Sequence, residues 1–168
     1  VPTATDTCVG IINGTTNDSL TYNEQGTYTV TWTFDDGNGN TSTQTQTVIV
    51  DDVTASVADV AELPTVTGEC SATVSVVPTA TDTCVGIING TTNDSLTYNE
   101  QGTYTVTWTF DDGNGNTSTQ TQTVIVDDVT ASVADVAELP TVTGECSATV
   151  SVVPTATDTC VGIINGTT

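Results

Sequence analysis

Two sets of acids and amides hold the residues best suited to chemistry. Asp36, Asn38 and Asn40 take alternate positions in the segment DDGNGN, led by Asp35. Asp112, Asn114 and Asn116, led by Asp111, repeat them further along the chain. Alternate side-chain oxygens, with glycines that permit a tight wrap, are how calcium loops begin. No bidentate Glu follows, so the segment is no EF-hand, and the same residues favour an ordinary hairpin turn. The second set is the acidic pairs Asp51-Asp52 and Asp127-Asp128. In a sandwich whose first and last strands end at opposite poles, Asp51 and Asp52 meet Asp82 and the turn at Asp111, Asp112, Asn114 and Asn116. The same logic sets Asp127 and Asp128 beside Asp158. The expected cofactor is therefore calcium, held between domains, since calcium takes six to eight oxygens in flexible geometry. The alternative is a solvated acidic linker.

Catalysis is not expected. The chain has no Lys, Arg or His against 21 acids, so the common nucleophile–base pairs cannot be assembled. Adjacent acids on a strand or turn point apart, which argues against paired-carboxylate chemistry. The same charge balance excludes phosphate recognition by basic side chains, so nucleic acid is not an expected partner. A net charge of −21 keeps a surface soluble by repulsion and attracts cations.

The five cysteines follow a repeat: Cys8, Cys84 and Cys160 are evenly spaced, and Cys70 and Cys146 stand the same distance apart. Each repeat thus holds two. Phase pairs Cys70 with Cys84 and Cys146 with Cys160, within repeats, each closing a loop of about 15 residues worth roughly 3 kcal/mol in the chain-entropy model. Paired cysteines in small β domains indicate an oxidising compartment. Without His or C-x-x-C, a thiolate metal site is disfavoured.

The elements that must position these residues are strands. In GTYTVTWTF, Tyr28, Val30, Trp32 and Phe34 fall on one face and threonines on the other, the period of a half-buried strand. DDGNGN then turns the chain, and TSTQTQTVIV returns it. Val48 and Val50 share parity with Gln44 and Gln46, which leaves open whether buried glutamines find partners. The sequence divides into residues 1–52, the C-terminal part of one repeat; 53–128, a complete repeat; and 129–168, the N-terminal part of the next. Within 53–128, strands are expected near Val57 and Val66, over 71–77, around Ile87 and near Tyr98, with 78–83 an extended loop. About seven short strands and no helix give an all-β fold: tandem immunoglobulin-like antiparallel β-sandwich domains. Nothing in the sequence reads as a membrane span.

PTATDTC, GTYTVTWTFDDGNGNTSTQTQTVIVDD and GECSATVSVVPTATDTC resemble the HYR-like, immunoglobulin-like repeats of very large surface adhesins of Bacteroidota, including gliding-motility adhesins. The resemblance covers the whole repeat. It implies an extracellular, non-catalytic array on a bacterial cell surface. This chain departs from it at Thr7, Thr83 and Thr159, where such repeats often have Asn, and at Ser56 and Ser132, where they often have Pro. It also lacks the Lys and Arg such repeats contain. Asp-Ser-Leu looks like the O-glycosylation signal of Bacteroidota, making Ser19 and Ser95 the expected glycan acceptors. The expected function is a stalk or filament repeat advancing a fibre by roughly 35–45 Å per domain. Its expected partners are neighbouring repeats of the same chain, other copies in a filament and surface glycans. The alternative is a ligand-binding module for glycan or ice, repeated for avidity, with the exposed row Thr27, Thr29, Thr31, Thr33 as its face.

Overall fold

The computed structural model describes residues 1–167. Among them no helix occurs, and so none is long and apolar enough to cross a membrane. The chain divides into two compact units, Val1–Thr54 and the part from Ala55 onward. Residues 129–167 lie with the complete repeat in the second unit.

The first unit holds β1 (Thr3–Asp6), β2 (Gly10–Asn13), β3 (Gly26–Asp35) and β4 (Thr41–Val50). β1 pairs with β2 and β3 with β4, both antiparallel. The long hairpin sets Trp32 opposite Gln44 and Val30 opposite Gln46. Val30, Trp32 and Phe34 are buried, as their period requires, with Ala4, Ile12, Tyr22 and Val48 packed against them.

The second unit contains the complete repeat. Its strands are β5 (Val57–Ala58), β6 (Val66–Gly68), β7 (Ala72–Thr73), β8 (Thr79–Asp82), β9 (Gly86–Asn89), β10 (Thr97–Tyr98), β11 (Gly102–Asp111) and β12 (Thr117–Val126). They form the sheets β11-β12-β6, β5-β8-β9 and β10-β7. All pairings are antiparallel except β6 with β12, which runs parallel from Val66 opposite Val124 to Gly68 opposite Val126. One core joins these sheets: Val106, Trp108 and Phe110 of β11, Val124 and Val126 of β12, Ala72, Val74, Ala80 and Ile88. The segment 78–83, expected as a loop, is largely strand. Ala80 is fully buried opposite Ile88, and the flanking threonines keep the strand's outer face polar.

The inward glutamines find partners for their amide N–H groups, while Gln120 Oε1 is buried without one among the described residues. Trp108 Nε1 donates to Gln122 Oε1 at 3.2 Å, and Gln122 Nε2 donates to the Pro64 carbonyl at 2.9 Å. Gln120 Nε2 donates to the Val60 carbonyl at 2.6 Å. The segment before Pro64, which forms no strand over most of its length, is thus tied to β12 by side-chain amides in place of a ladder.

Residues 129–167 carry β13 (Val133–Ala134), β14 (Thr155–Asp158) and β15 (Gly162–Asn165), in one antiparallel sheet. Their sequence repeats 53–91, yet strands equivalent to β6 and β7 are missing. Val74 is 5 % exposed in the complete repeat, whereas Val150, at the same position of the next, is 75 % exposed. Identical residues thus fold differently according to whether a β11–β12 hairpin lies beside them. The hairpin supplies the apolar surface that makes ordering the segment favourable.

Candidate functional site

The acids of the hairpin turns close on their own backbone. Asp112 Oδ1 accepts the N–H groups of Asn114 at 2.8 Å and Asn116 at 3.1 Å, and Asn116 Nδ2 donates to Asp112 Oδ2 at 2.7 Å. Asp111 Oδ1 accepts the Gly113 N–H at 2.9 Å. Asp35, Asp36, Asn38 and Asn40 repeat the arrangement in the first unit. Burial works against the Asp112 charge, but the Asn116 amide and the two N–H groups outweigh it and hold the carboxyl below the ordinary range. At Asp36 the Asn40 amide is the largest of the causes that lower it. Asn40 and Asn116 thus present donors to the aspartate, which is the geometry of a self-capped turn. In the first unit Asp6, the counterpart of Asp82, lines one cavity of about 210 Å³ with Asp36 and Asn40. The loop acid and the hairpin turn of the first unit therefore line the same cavity.

The richer site is where the complete repeat meets the next. Asp127 N–H donates to the Gly68 carbonyl at 2.9 Å, extending the β6–β12 pairing. Gln101 bridges the two segments: its Nε2 donates to the Glu69 carbonyl and its Oε1 accepts the Asp128 N–H, both at 2.8 Å. Thr130 Oγ1 donates to Glu69 Oε1 at 2.7 Å, and the Thr130 N–H donates to Asp128 Oδ1. Asp52 caps Thr54 in the same way within the first unit. Across the junction, carboxylate oxygens of Asp128 and Asp158 and the Cys160 sulfur lie within 4.8 Å of one another. Asp158 Oδ1 accepts the N–H groups of Cys160 at 2.8 Å and Val161 at 2.9 Å. These two bonds, Val161 first, hold its carboxyl low although burial opposes them. The structure thus brings Asp128 to Asp158, while Asp127 is held at the edge of β12. Glu69, Gln101 and Thr130 were not expected here. Their polar side chains carry no periodic signal, and Gln101 reads only as part of a turn.

The disulfide corrects the expected pairing. Cys70 bonds to Cys160, 90 residues on, and neither Cys70–Cys84 nor Cys146–Cys160 forms. The reason is where each turn lies. Cys70 follows β6, whose end is level with Val126 at the exit of the repeat. Cys84 follows β8, where Thr81 pairs with Val57, and the neighbouring Ser56 hydroxyl meets Ser118 at the hairpin-turn end of β12. A ten-residue strand separates these ends by about 30 Å, and a disulfide reaches only about 7 Å between Cα atoms. The bond joins consecutive repeats instead, with Cα atoms 4.9 Å apart.

Ser19 and Ser95 are exposed. The Ser95 hydroxyl donates to the Thr97 carbonyl at 2.7 Å and accepts its N–H at 3.2 Å, and Ser19 does the same with Thr21. The preceding Asp94 accepts the Thr107 N–H at 2.7 Å, which pins the segment to β11.

One acid outside both sets has a titration consequence. Asp59 accepts the hydroxyls of Thr79 and Thr81, and these bonds, Thr79 first, lower its pKa. A depressed folded pKa contributes stability above the unfolded value of about 3.9, lost as pH falls through the folded value. Asp59→Asn is therefore expected to lower Tm at pH 7, with the gap to the parent chain closing below about pH 4. Thermal melts of both chains across that range check the sign; a gap that widens in acid contradicts it.

The chain matches no family model, no curated protein and no solved structure.

Proposed function

We propose that the chain is a structural spacer: tandem immunoglobulin-like sandwich repeats forming the stalk or filament of an extracellular bacterial surface adhesin. The observation that carries this reading is the junction. Two consecutive repeats are joined by a disulfide and by the hydrogen bonds of Glu69, Gln101, Asp127, Asp128 and Thr130. Such a joint fixes one repeat on the next, which a spacer needs. A disulfide also favours an oxidising compartment. The parallel pairing of an early strand with the last one supports the immunoglobulin-like assignment.

Calcium belongs to the same proposal, with Asp128 and Asp158 as its protein ligands. Cys160 is engaged in the disulfide and is a poor ligand for a hard cation, so backbone carbonyls, water or Glu69 complete the oxygen set. Bound there, calcium would neutralise two carboxylates that no Lys or Arg offsets. O-glycan on Ser19 and Ser95 completes the proposed surface.

Small-angle scattering and thermal melts of a multi-repeat array, with millimolar calcium and then with chelator, test this reading. A stiff rod in both states, stiffer and higher-melting with calcium, is expected. A flexible string of beads in both overturns the spacer function, and identical curves with and without the ion remove calcium alone. Saturable binding of glycan or ice by the Thr105, Thr107 and Thr109 face, paired with Thr123, Thr121 and Thr119, would favour the ligand-binding alternative.

A further inference from the structure

We infer that the two cysteines of each repeat, bonded as Cys70–Cys160 is, run a continuous covalent thread along the array and set a ceiling on its extension. The inference rests on the spacer reading for its purpose only; the bonds and the ceiling stand or fall separately.

The two cysteines of the complete repeat occupy opposite ends of it. Cys84 lies in the turn after β8 at the entry end and Cys70 in the turn after β6 at the exit end, and only the short segment 70–84 of backbone joins them. Cys70 is bonded to Cys160, which is the counterpart of Cys84 in the next repeat. From Cys160 the equally short segment 146–160 leads to Cys146, the counterpart of Cys70. A load entering at Cys84 thus has a short route to Cys146: along the chain to Cys70, across the sulfurs to Cys160 and along the chain to Cys146. The direct backbone between the same two cysteines, through β9 to β12, is more than twice as long as that route.

In any longer run of this repeat, the exposed Cys146 thiol stands where Cys70 stands and meets the counterpart of Cys160 one repeat further on. Cys84 meets the counterpart of Cys70 one repeat before. Each bond forms from two thiols, which lose two protons and two electrons to a disulfide-exchange oxidant of the compartment, itself reduced to a dithiol. The thread then uses one short cysteine-to-cysteine segment and one disulfide per repeat. Such a segment, of about 14 residues, reaches at most about 50 Å when fully extended. The folded repeat already advances roughly 35–45 Å, counted from strands of about ten residues and their turns. An unbridged repeat, of about 76 residues, would reach about 260 Å when unfolded and fully extended. The bridged array can therefore lose every hydrogen bond and still lengthen only slightly. The closing of successive loops across repeats, rather than within them, produces this; the pairing Cys70–Cys84 would leave each repeat free to unravel beyond Cys84.

Single-molecule stretching of this chain decides the matter. With Cys8→Ser in place, thioether-linked handles go on Cys84 and Cys146, and the oxidised chain is pulled between them. The expected ceiling is about 100 Å, against about 210 Å for the same chain carrying Cys70→Ser or Cys160→Ser. The ceiling counts covalent bonds, so it reads the same whether or not a variant folds. An oxidised chain that extends as far as those two variants overturns the inference. Peptide mapping of an oxidised multi-repeat array should show only cysteines joined at the spacing of Cys70 and Cys160, and partners within one repeat would overturn it equally. Either failure leaves the scattering result untouched, and a flexible array with the ceiling intact would sink the spacer reading alone.

Discussion

Trp108→Ala is expected to remove most of the stability of the complete repeat. Trp108 is 2 % exposed at the centre of β11, between Val106 and Phe110, which are fully buried. Emptying that volume costs about 3–5 kcal/mol, and a domain of this size has on the order of 5–10 kcal/mol to lose. A second loss follows from the indole. Its N–H is the partner of Gln122 Oε1, and Gln122 is itself buried and bound to the Pro64 carbonyl. Without the indole, Gln122 Oε1 is left in the core unpaired. Trp108→Phe isolates this part: it keeps most of the ring volume and is expected to cost about 1–3 kcal/mol, the penalty of an orphaned buried acceptor. Urea unfolding followed by far-ultraviolet circular dichroism measures both. Equal effects of the two substitutions would show that the hydrogen bond, not the volume, dominates the site.

That hairpin was the most legible part of the sequence. Tyr104, Val106, Trp108 and Phe110 alternate with threonines, and period 2 alone decides which face is buried. Parity also sends Gln122 inward, but its partners at Trp108 and Pro64 lie 14 and 58 residues away, and nothing local names them. β8 was hidden because Pro78, the threonines and Asp82 read as loop, while its one core residue, Ala80, carries too little apolar area to mark a strand. The two cysteines per repeat were counted correctly, but counting does not tell which end of the sandwich each occupies, and phase is satisfied equally within repeats and across them. The turn acids carried a double meaning: Asp and Asn that can ligate an ion can also cap a turn, and the Asn116 amide donating to Asp112 shows the second use. The limit of local reading is plainest in residues 142–149, which repeat β6 and β7 letter for letter and form neither.

Gly68→Ala is expected to be the most damaging change at the junction, although Gly68 touches no ligand and its backbone is not left-handed. A Cβ there would lie 1.9 Å from the Ser71 carbonyl oxygen and 2.8 Å from its carbon. Both are backbone atoms, so the turn between β6 and β7 must open. The same approach recurs at Gly144, 1.9 Å from the Ser147 oxygen. There no hairpin lies beside it, so the turn is encoded locally by GECS. Opening it moves two things that depend on it. The Gly68 carbonyl loses the Asp127 N–H, and Cys70, two residues on, leaves the reach of Cys160. Forced repacking of this kind costs about 1–3 kcal/mol, and loss of a bridge closing a loop of this length adds about 4–5 kcal/mol in the chain-entropy model. Gly113→Ala is the control. Gly113 has φ +80° and nothing within 4 Å of an added Cβ, so that change is expected to cost only about 1 kcal/mol of backbone strain. Thiol titration of the oxidised, denatured chains separates the two. The Gly68→Ala chain should titrate two more thiols than its parent, and the Gly113→Ala chain the same number. A Gly68→Ala chain that keeps its bridge would mean that Glu69, Gln101 and Thr130 hold Cys70 in place without the turn.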